Sequence, residues 1–371
     1  MKYYIIAGEP SGDLHGSKLI KEILSLDDAA KIRFWGGDLM KNAGGDMVMH
    51  YRDLAFMGFS EVILNILKIF KNFRICKKDI LEFNPDKIIL IDYPGFNLRI
   101  SKWAKKRGFK NYFYISPQIW AWKENRAKIL RNYVDELYVV LPFEKDYFLN
   151  KHKMNVNFFG HPLMDDFKKN KPKKIQSKQP IISILPGSRK QEISKILGKV
   201  LKVCNYFPEY RFIIAGVNHI DKETYEKAVL DSSSKIEVIY NRTYDIISSS
   251  ELSIVTSGTA TLETALLGTP QIVCYKSSYL SFLIAKFVVK LKYISLVNII
   301  MEKGVIDELI QFNCNSKNIC LSLEKILNKS YAKKIKFDYQ KLFNFLNRGG
   351  ASKITSSLIL KRIKKKKLLA F

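Results

Sequence analysis

The residues best placed to do chemistry lie in Ile254–Pro270, IVTSGTATLETALLGTP. Ser257, Gly258 and Thr259 follow the apolar run Leu252–Val255. They supply two helix-capping hydroxyls around a residue that lets another group approach the backbone. A helix beginning there turns free N–H groups and the positive end of its dipole toward the turn, which is how helices bind phosphate. Glu263 lies four residues after Thr259, on the same helical face, where a carboxylate can accept two hydrogen bonds from a ribose diol. Gly268, Thr269 and Pro270 then stop the helix, and Gln271–Tyr275 resumes as a strand. The same stretch also reads as an ordinary strand–turn–helix crossover with a solvated glutamate.

Three further stretches carry candidate chemistry. In Leu185–Ile193, LPGSRKQEI, Ser188 and Gln191 stand at capping-box spacing, which predicts a helix from Ser188 with Arg189 in its first turn. An arginine there opposes the helix dipole unless an anion joins it. A bound diphosphate would be such an anion, its leaving charge neutralised by the guanidinium; a solvated surface arginine is the other reading. Gly8–Gly16, GEPSGDLHG, is neither a GxGxxG turn nor a Walker loop, because its lysine follows Ser17, so no nicotinamide or NTPase site is indicated. Glu9, Ser11, Gly12 and Asp13 suit a hydroxyl-rich ligand such as a sugar, with helix capping as the competing role for Asp13. Asp92, in IDYPGFN, ends a parallel strand before Tyr93, Pro94 and Gly95 turn the chain. A carboxylate there can take a proton from an attacking hydroxyl, or merely cap the turn. His161 in GHPLMDD reads as a satisfied structural histidine. No histidine–serine–acid set and no metal-ligand spacing is present, so neither a metal nor a cofactor is expected.

The elements that must hold these residues alternate. Tyr3–Ala7, Ile32–Trp35, Lys87–Ile91, Tyr112–Ile115 and Glu136–Val140 are short apolar strands separated by turns and helical segments such as Leu14–Leu24, with Gly8–Gly12 as the first turn. A second series comprises Ile181–Leu185, Arg211–Ala215, Ile236–Tyr240, Leu252–Val255 and Gln271–Tyr275. The pattern predicts an α/β chain of two doubly wound, Rossmann-like parallel-sheet halves facing a cleft, with ligands beyond the carboxyl ends of the strands. The expected domains are 1–167, a charged linker at 168–179, 180–330, and C-terminal helices with a basic tail at 331–371. Those last helices pack on the first half or on a second copy of the chain, so a homodimer is one expected assembly.

A chain of 371 residues, 47% hydrophobic, can bury two cores. Its net charge of +27 implies attraction to anions: nucleic acid, an anionic membrane surface or a phosphorylated substrate. The aromatics do not interleave with the lysines as in an RNA-binding motif, so nucleic acid is not the expected partner. Cys76, Cys204, Cys274, Cys314 and Cys320 are scattered without a CxxC pair, as in a reducing cytoplasm, and no secretory signal is read at the N-terminus. Tyr279–Ile300 is interrupted by Lys286, Lys290 and Lys292 and is not a membrane span. Phe59–Phe73 is instead an amphipathic helix with Phe59, Ile63, Ile66, Leu67 and Phe70 on its apolar face. Most of that face is expected in the core; its exposed edge, flanked by Lys68, Lys71, Arg74, Lys77 and Lys78, suits an anionic bilayer or acyl chains.

Taken in order, GEPSGDLHG, LAFMGFSEVI, IDYPGFNLRI, YISPQIWAW, LPFEKDYF, GHPLMD, LPGSRKQEI, TSGTATLETAL and YISLVNII resemble the blocks of the lipid-A-disaccharide synthase family, from residue 8 to 300. The resemblance implies a GT-B glycosyltransferase, inverting and metal-independent, working peripherally at the cytoplasmic face of the inner membrane of a Gram-negative bacterium. Its donor would be UDP-2,3-diacylglucosamine and its acceptor 2,3-diacylglucosamine 1-phosphate. It places the family's essential aspartate on Asp92, its donor-site arginine on Arg189, its nucleotide-site glutamate on Glu263 and a cleft asparagine on Asn298. One departure is Gly95, where many members carry a second acidic residue, leaving Asp92 as the only carboxylate in its block. Another UDP-sugar enzyme, a peptidoglycan glucosaminyltransferase or a 2-epimerase, is the neighbouring alternative.

Overall fold

The apolar runs form two parallel sheets in the computed structural model, which describes residues 1–54, 66–165, 171–218, 220–230, 236–277, 282, 291–347 and 353–359. The first sheet contains β1 (Lys2–Ala7), β2 (Lys31–Gly36), β3 (Asp46–His50), β4 (Lys87–Ile91), β5 (Asn111–Tyr114), β6 (Glu136–Val139) and β7 (Asn157–Phe158). Their order is β3-β2-β1-β4-β5-β6-β7. Both faces are covered, so the central strands β1 and β4 carry consecutive rather than alternating buried residues. Tyr4 and Ile6 of β1 enter one core, and Tyr3, Ile5 and Ala7 the other. The flanking helices are α1 (Pro10–Leu26), α2 (Asp38–Ala43), α3 (Ile66–Phe83), α4 (Pro94–Lys105), α5 (Ala127–Tyr133) and α6 (Glu144–His152).

The second sheet contains β8 (Ile181–Leu185), β9 (Arg211–Gly216), β10 (Ile236–Tyr240), β11 (Ser250–Thr256), β12 (Gln271–Tyr275) and β13 (Glu308–Ile310), in the order β10-β9-β8-β11-β12-β13. Its helices are α7 (Lys190–Leu201), α8 (Lys222–Leu230), α9 (Thr243–Ser249), α10 (Thr259–Leu266), α11 (Leu296–Met301), α12 (Ser316–Leu327) and α13 (Lys329–Leu346).

Each sheet has one place where the strand order reverses. In the first it lies between β1 and β4, which pair from Tyr3↔Lys87 to Ala7↔Ile91. In the second it lies between β8 and β11, where Leu185 pairs with Val255. Connections leave in opposite directions at such a point and open a crevice beyond the strand ends. Gly8–Glu9 and Asp92–Tyr93 emerge at the first crevice, and 186–189 and 257–259 at the second.

The chain divides into two compact units, Met1–Asp166 with Asn347–Phe371, and Phe167–Leu346. Within the charged segment expected as a linker, residues 168–170 lie outside the described residues, and the remainder is strapped to the second unit. The Lys173 amide donates to the Asp245 carboxylate at 2.8 Å, and the Ile175 amide to Ser249 Oγ at 2.8 Å. The expected C-terminal segment is likewise divided. Tyr339 of α13 accepts from Gln271 in the second unit, whereas a helical segment at 353–359 places Ile359 in the first unit's core with Tyr3 and Leu19.

Candidate active site

Asp92 occupies the first crevice in a strained setting. Asp92 and Tyr93 have φ of +45° and +48°, and Ile115 and Lys123 at the same edge have +63° and +54°. Non-glycine residues in this region cost about 1–3 kcal/mol each and collect at functional sites. Three contacts hold the turn. The Asp92 amide donates to Tyr114 O at 3.2 Å. The buried Asn97 amide donates to the carbonyls of Asp92 (2.7 Å), Ile91 (3.3 Å) and Ile6 (3.4 Å), joining the ends of β4 and β1. The Tyr93 ring lies against Gly8, where a Cβ would stand 2.4 Å from it, so only glycine fits under Asp92's neighbour.

Burial, aided by the nearby Glu9 carboxylate, pushes the Asp92 carboxyl up to about 7; a hydrogen bond from the Tyr93 backbone and the Arg126 guanidinium act the other way. The IDYPGFN block holds one carboxylate, but the fold sets Glu9 beside it. Glu144, which the sequence reading did not single out, is fully buried on the same side. It accepts from Trp120 Nε1 at 3.0 Å and from the amides of Leu141 (2.9 Å) and Val140 (3.1 Å), fixing the segments after β5 and β6. Burial raises its carboxyl to about 7, against the pull of those donors.

The remaining residues of GEPSGDLHG play different parts. The helix begins at Pro10, not after residue 12, so Ser11, Gly12 and Asp13 belong to its first turn. Ser11 is exposed, and Gly12 packs against Ala7. Asp13 is buried and accepts from the amides of Gly37 (2.8 Å), Met40 (3.0 Å) and Leu39 (3.1 Å), capping α2. It thus takes the capping role rather than a place beside Asp92. His161 is buried, its Nδ1 accepts from the Leu163 amide at 3.2 Å, and burial first and Lys18 second lower it to about 4.

The second crevice assembles both glycine turns. The helix there starts at Lys190, with Arg189 as its N-cap and Ser188 exposed before it, one turn position later than capping-box spacing predicts. Arg189 Nη1 donates to Glu192 Oε1 at 3.0 Å, so the anion its position requires is supplied within its own first turn. Gly187 has φ +105°, and a Cβ there would meet Glu192 Oε2 at 2.6 Å. Across the sheet, Gly258 precedes α10 and opens to empty space, Thr259 is exposed at the helix start, and Ser257 Oγ donates to Ile294 O at 3.1 Å. Tyr244 Oη donates to Glu263 Oε1 at 2.9 Å and orients that carboxylate.

Asn298 stands apart from these as a buried knot. Its Nδ2 donates to Ile306 O and Glu308 Oε1, both at 2.9 Å, and its Oδ1 accepts from Val305 (2.8 Å) and Ile306 (3.0 Å). Every polar atom is used inside the protein, so Asn298 shapes the 294–308 loop that Ser257 touches, rather than presenting its amide to the crevice.

Of the proposed acyl-facing residues, Phe59 and Ile63 lie outside the described residues, as does the side chain of Ile66. On α3 the core takes Ile69, Phe73, Cys76 and Ile80, with Phe73 stacked on Phe96 at 4.3 Å. Leu67 and Phe70 therefore point outward, 82% and 57% exposed, among Lys68, Lys71 and Arg74.

Residues 3–361 match the family model described as lipid-A-disaccharide synthetase. The chain belongs to the lipid-A-disaccharide synthetase family. It is 36% identical over 375 residues to the lipid-A-disaccharide synthase of Syntrophus aciditrophicus, with 97% of each chain covered. It is 33% identical to that of Trichlorobacter lovleyi, again over 97% of each. Among solved structures it resembles UDP-GlcNAc 2-epimerase from Neisseria meningitidis bound to UDP-GlcNAc (TM-score 0.65, 15% identity, 97% and 100% covered). It also resembles the glycotransferase of kitacinnamycin (TM-score 0.66, 11% identity, 97% and 98% covered). These likenesses establish two Rossmann-like domains of the GT-B class. In this synthetase family member, sequence reasoning missed Asn97, Glu144, Glu192 and Tyr244. Asn97, Glu144 and Glu192 sit in the blocks IDYPGFNLRI, LPFEKDYF and LPGSRKQEI already quoted, whereas Tyr244 acts through Glu263, 19 residues away.

Proposed function

We propose that the chain transfers 2,3-diacylglucosamine from UDP to the 6-hydroxyl of 2,3-diacylglucosamine 1-phosphate, giving the β-linked disaccharide 1-phosphate and UDP. The bond from O6 to the donor anomeric carbon forms as the bond from that carbon to the diphosphate oxygen breaks. The proton of the 6-hydroxyl passes to Asp92, and the electron pair leaves with UDP. The observation that carries this reading is Asp92, a carboxyl raised to about 7 by burial at the first sheet's reversal point, and so matched to proton removal at neutral pH. The α10 amides and Arg189 would receive the diphosphate and Glu263 the ribose diol, with inversion at the anomeric carbon. Work at the cytoplasmic face of the inner membrane is part of the proposal, supported by the exposed Leu67 and Phe70 among basic residues.

The test is mass spectrometry of the products from both diacyl substrates in excess EDTA, with UDP quantified. Disaccharide 1-phosphate and UDP in equal amounts are expected, and Asp92→Asn should lower kcat by roughly 10²–10⁴-fold. No disaccharide from folded protein, with UDP-GlcNAc consumed instead, would transfer the assignment to the 2-epimerases that share the fold.

A further inference from the structure

A group of cations lies next to Asp92, and nothing above assigns it a ligand, although Arg126 already lowers the proton affinity of that carboxyl. Trp122, Lys123 and Arg126 follow β5, the strand whose Tyr114 carbonyl holds the Asp92 amide. Lys123 takes a positive φ that starts the short turn Glu124–Arg126. This puts both cations over one ring, with Lys123 Nζ 4.5 Å and Arg126 Cζ 5.0 Å from the Trp122 ring centre. Trp122 itself is 40% exposed. Arg99, on the helix that begins just beyond Asp92, lies over Phe73.

The one acidic residue of this turn is engaged elsewhere: Glu124 pairs with Lys151 at 2.9 Å and His152 at 3.3 Å. Among the described residues, Lys123, Arg126 and Arg99 form no ion pair with a carboxylate. Burial first, then Arg126 and Arg99, lower Lys123; burial lowers Arg126, while Asp92 opposes that shift. Like charges gathered this way repel unless an anion joins them.

We propose that Arg126, with Lys123 and Arg99, binds the anomeric phosphate of the acceptor sugar, and so sets both the acceptor's orientation and the requirement for its phosphate. The inference rests on the proposed transfer reaction. The acceptor's C1 is joined through the ring oxygen to C5, which bears the 6-hydroxymethyl group, so with the 6-hydroxyl at Asp92 the anomeric phosphate would lie within a sugar's breadth of that carboxyl, within reach of cations that adjoin it. A guanidinium and an ammonium held on a ring provide directed donors for a phosphate monoester. The donor's phosphates are expected at the second crevice, which leaves this cluster to the acceptor.

The experiment uses the full chain in nonionic micelles, which removes any anionic lipid surface. It compares 2,3-diacylglucosamine 1-phosphate with the same sugar bearing a free anomeric hydroxyl, for the wild type, Arg126→Ala and Arg126→Lys. The wild type should prefer the phosphorylated acceptor. Arg126→Ala should reduce that preference, as a ratio of kcat/KM values, by roughly ten-fold or more, acting through the acceptor KM, with Arg126→Lys in between. A ratio within two-fold of wild type, whatever the absolute rates, would mean that Arg126 acts on Asp92 or on the fold and would overturn the proposal. A rise in donor KM alone would assign the cluster to the donor diphosphate and overturn it equally. Transfer to neither acceptor by the wild type would instead overturn the parent reaction.

Discussion

Asp92 is a carboxylate made more basic by position. Burial is the main cause and Glu9 the second, so its proton affinity depends on a neighbour that can be altered without touching the turn. If Asp92 is the base, kcat/KM should rise with pH through about 7 and then level. Glu9→Gln removes one negative neighbour and should move this limb to lower pH; a limb that stays in place would exclude Glu9 from the site. The same shift governs stability. The folded carboxyl binds its proton more tightly than the unfolded one, so its contribution is fully present below the unfolded carboxylate range. It is lost as pH rises toward about 7. Asp92→Asn should therefore melt higher than wild type at pH 8, by roughly 5–10 °C, and the gap should vanish near pH 4. A variant that is both much slower and more stable would indicate a buried charge kept for function.

At the scale of elements, both crevices depend on how strand ends are tied together. Asn97 ties β1 to β4 in the first unit, and Asn298 ties the 294–308 loop beside the turn after β11 in the second. The buried Asn298 amide uses all its hydrogen-bonding capacity and is therefore costly to remove. Asn298→Ala should lower unfolding free energy in urea by roughly 2–3 kcal/mol. Unchanged stability with weaker UDP binding would instead make Asn298 a ligand. The α3 helix shows a different balance. Its core face takes Ile69, Phe73, Cys76 and Ile80, and this orientation leaves Leu67 and Phe70 outside, because a helix cannot present all its apolar residues to one sheet.

For the whole molecule, charge and exposed apolar surface point to the same partner. The net charge is +27, and no helix among the described residues is long and apolar enough to cross a membrane. Leu67 and Phe70 are exposed among basic residues, and on the proposed reading they would serve as apolar anchors at an anionic surface. Cosedimentation with phosphatidylglycerol vesicles should fall about ten-fold or more in the Leu67→Ser, Phe70→Ser double variant, since each side chain contributes up to about 1.5–3 kcal/mol on full burial. Binding by the wild type should also weaken in high salt. Equal binding by variant and wild type would remove α3 from the proposed membrane contact.

Central strands of both sheets were legible in the chain itself: Lys87–Ile91, Ile181–Leu185 and Gln271–Tyr275 have the boundaries that their apolar runs predict, as does Ile236–Tyr240, an edge strand whose five-residue run is nearly all apolar. Doubly covered strands carry an uninterrupted apolar signal. Three other edge strands, Asp46–His50, Asn157–Phe158 and Glu308–Ile310, did not show, because they are short or bracketed by polar residues and bury too little to leave a pattern. In the same way, the glycine turns and Asp92 were readable as local motifs, since a helix start and a strand end are written in adjacent residues. The sequence determined which residue types stand at the strand ends. Only the tertiary structure decided that Glu9 adjoins Asp92, that Asp13 caps α2, that Asn298 is a buried knot and that Lys123 and Arg126 share one ring. Each of these depends on which strands become neighbours and which side chains lose water, and both follow from packing of the whole chain rather than from any local stretch.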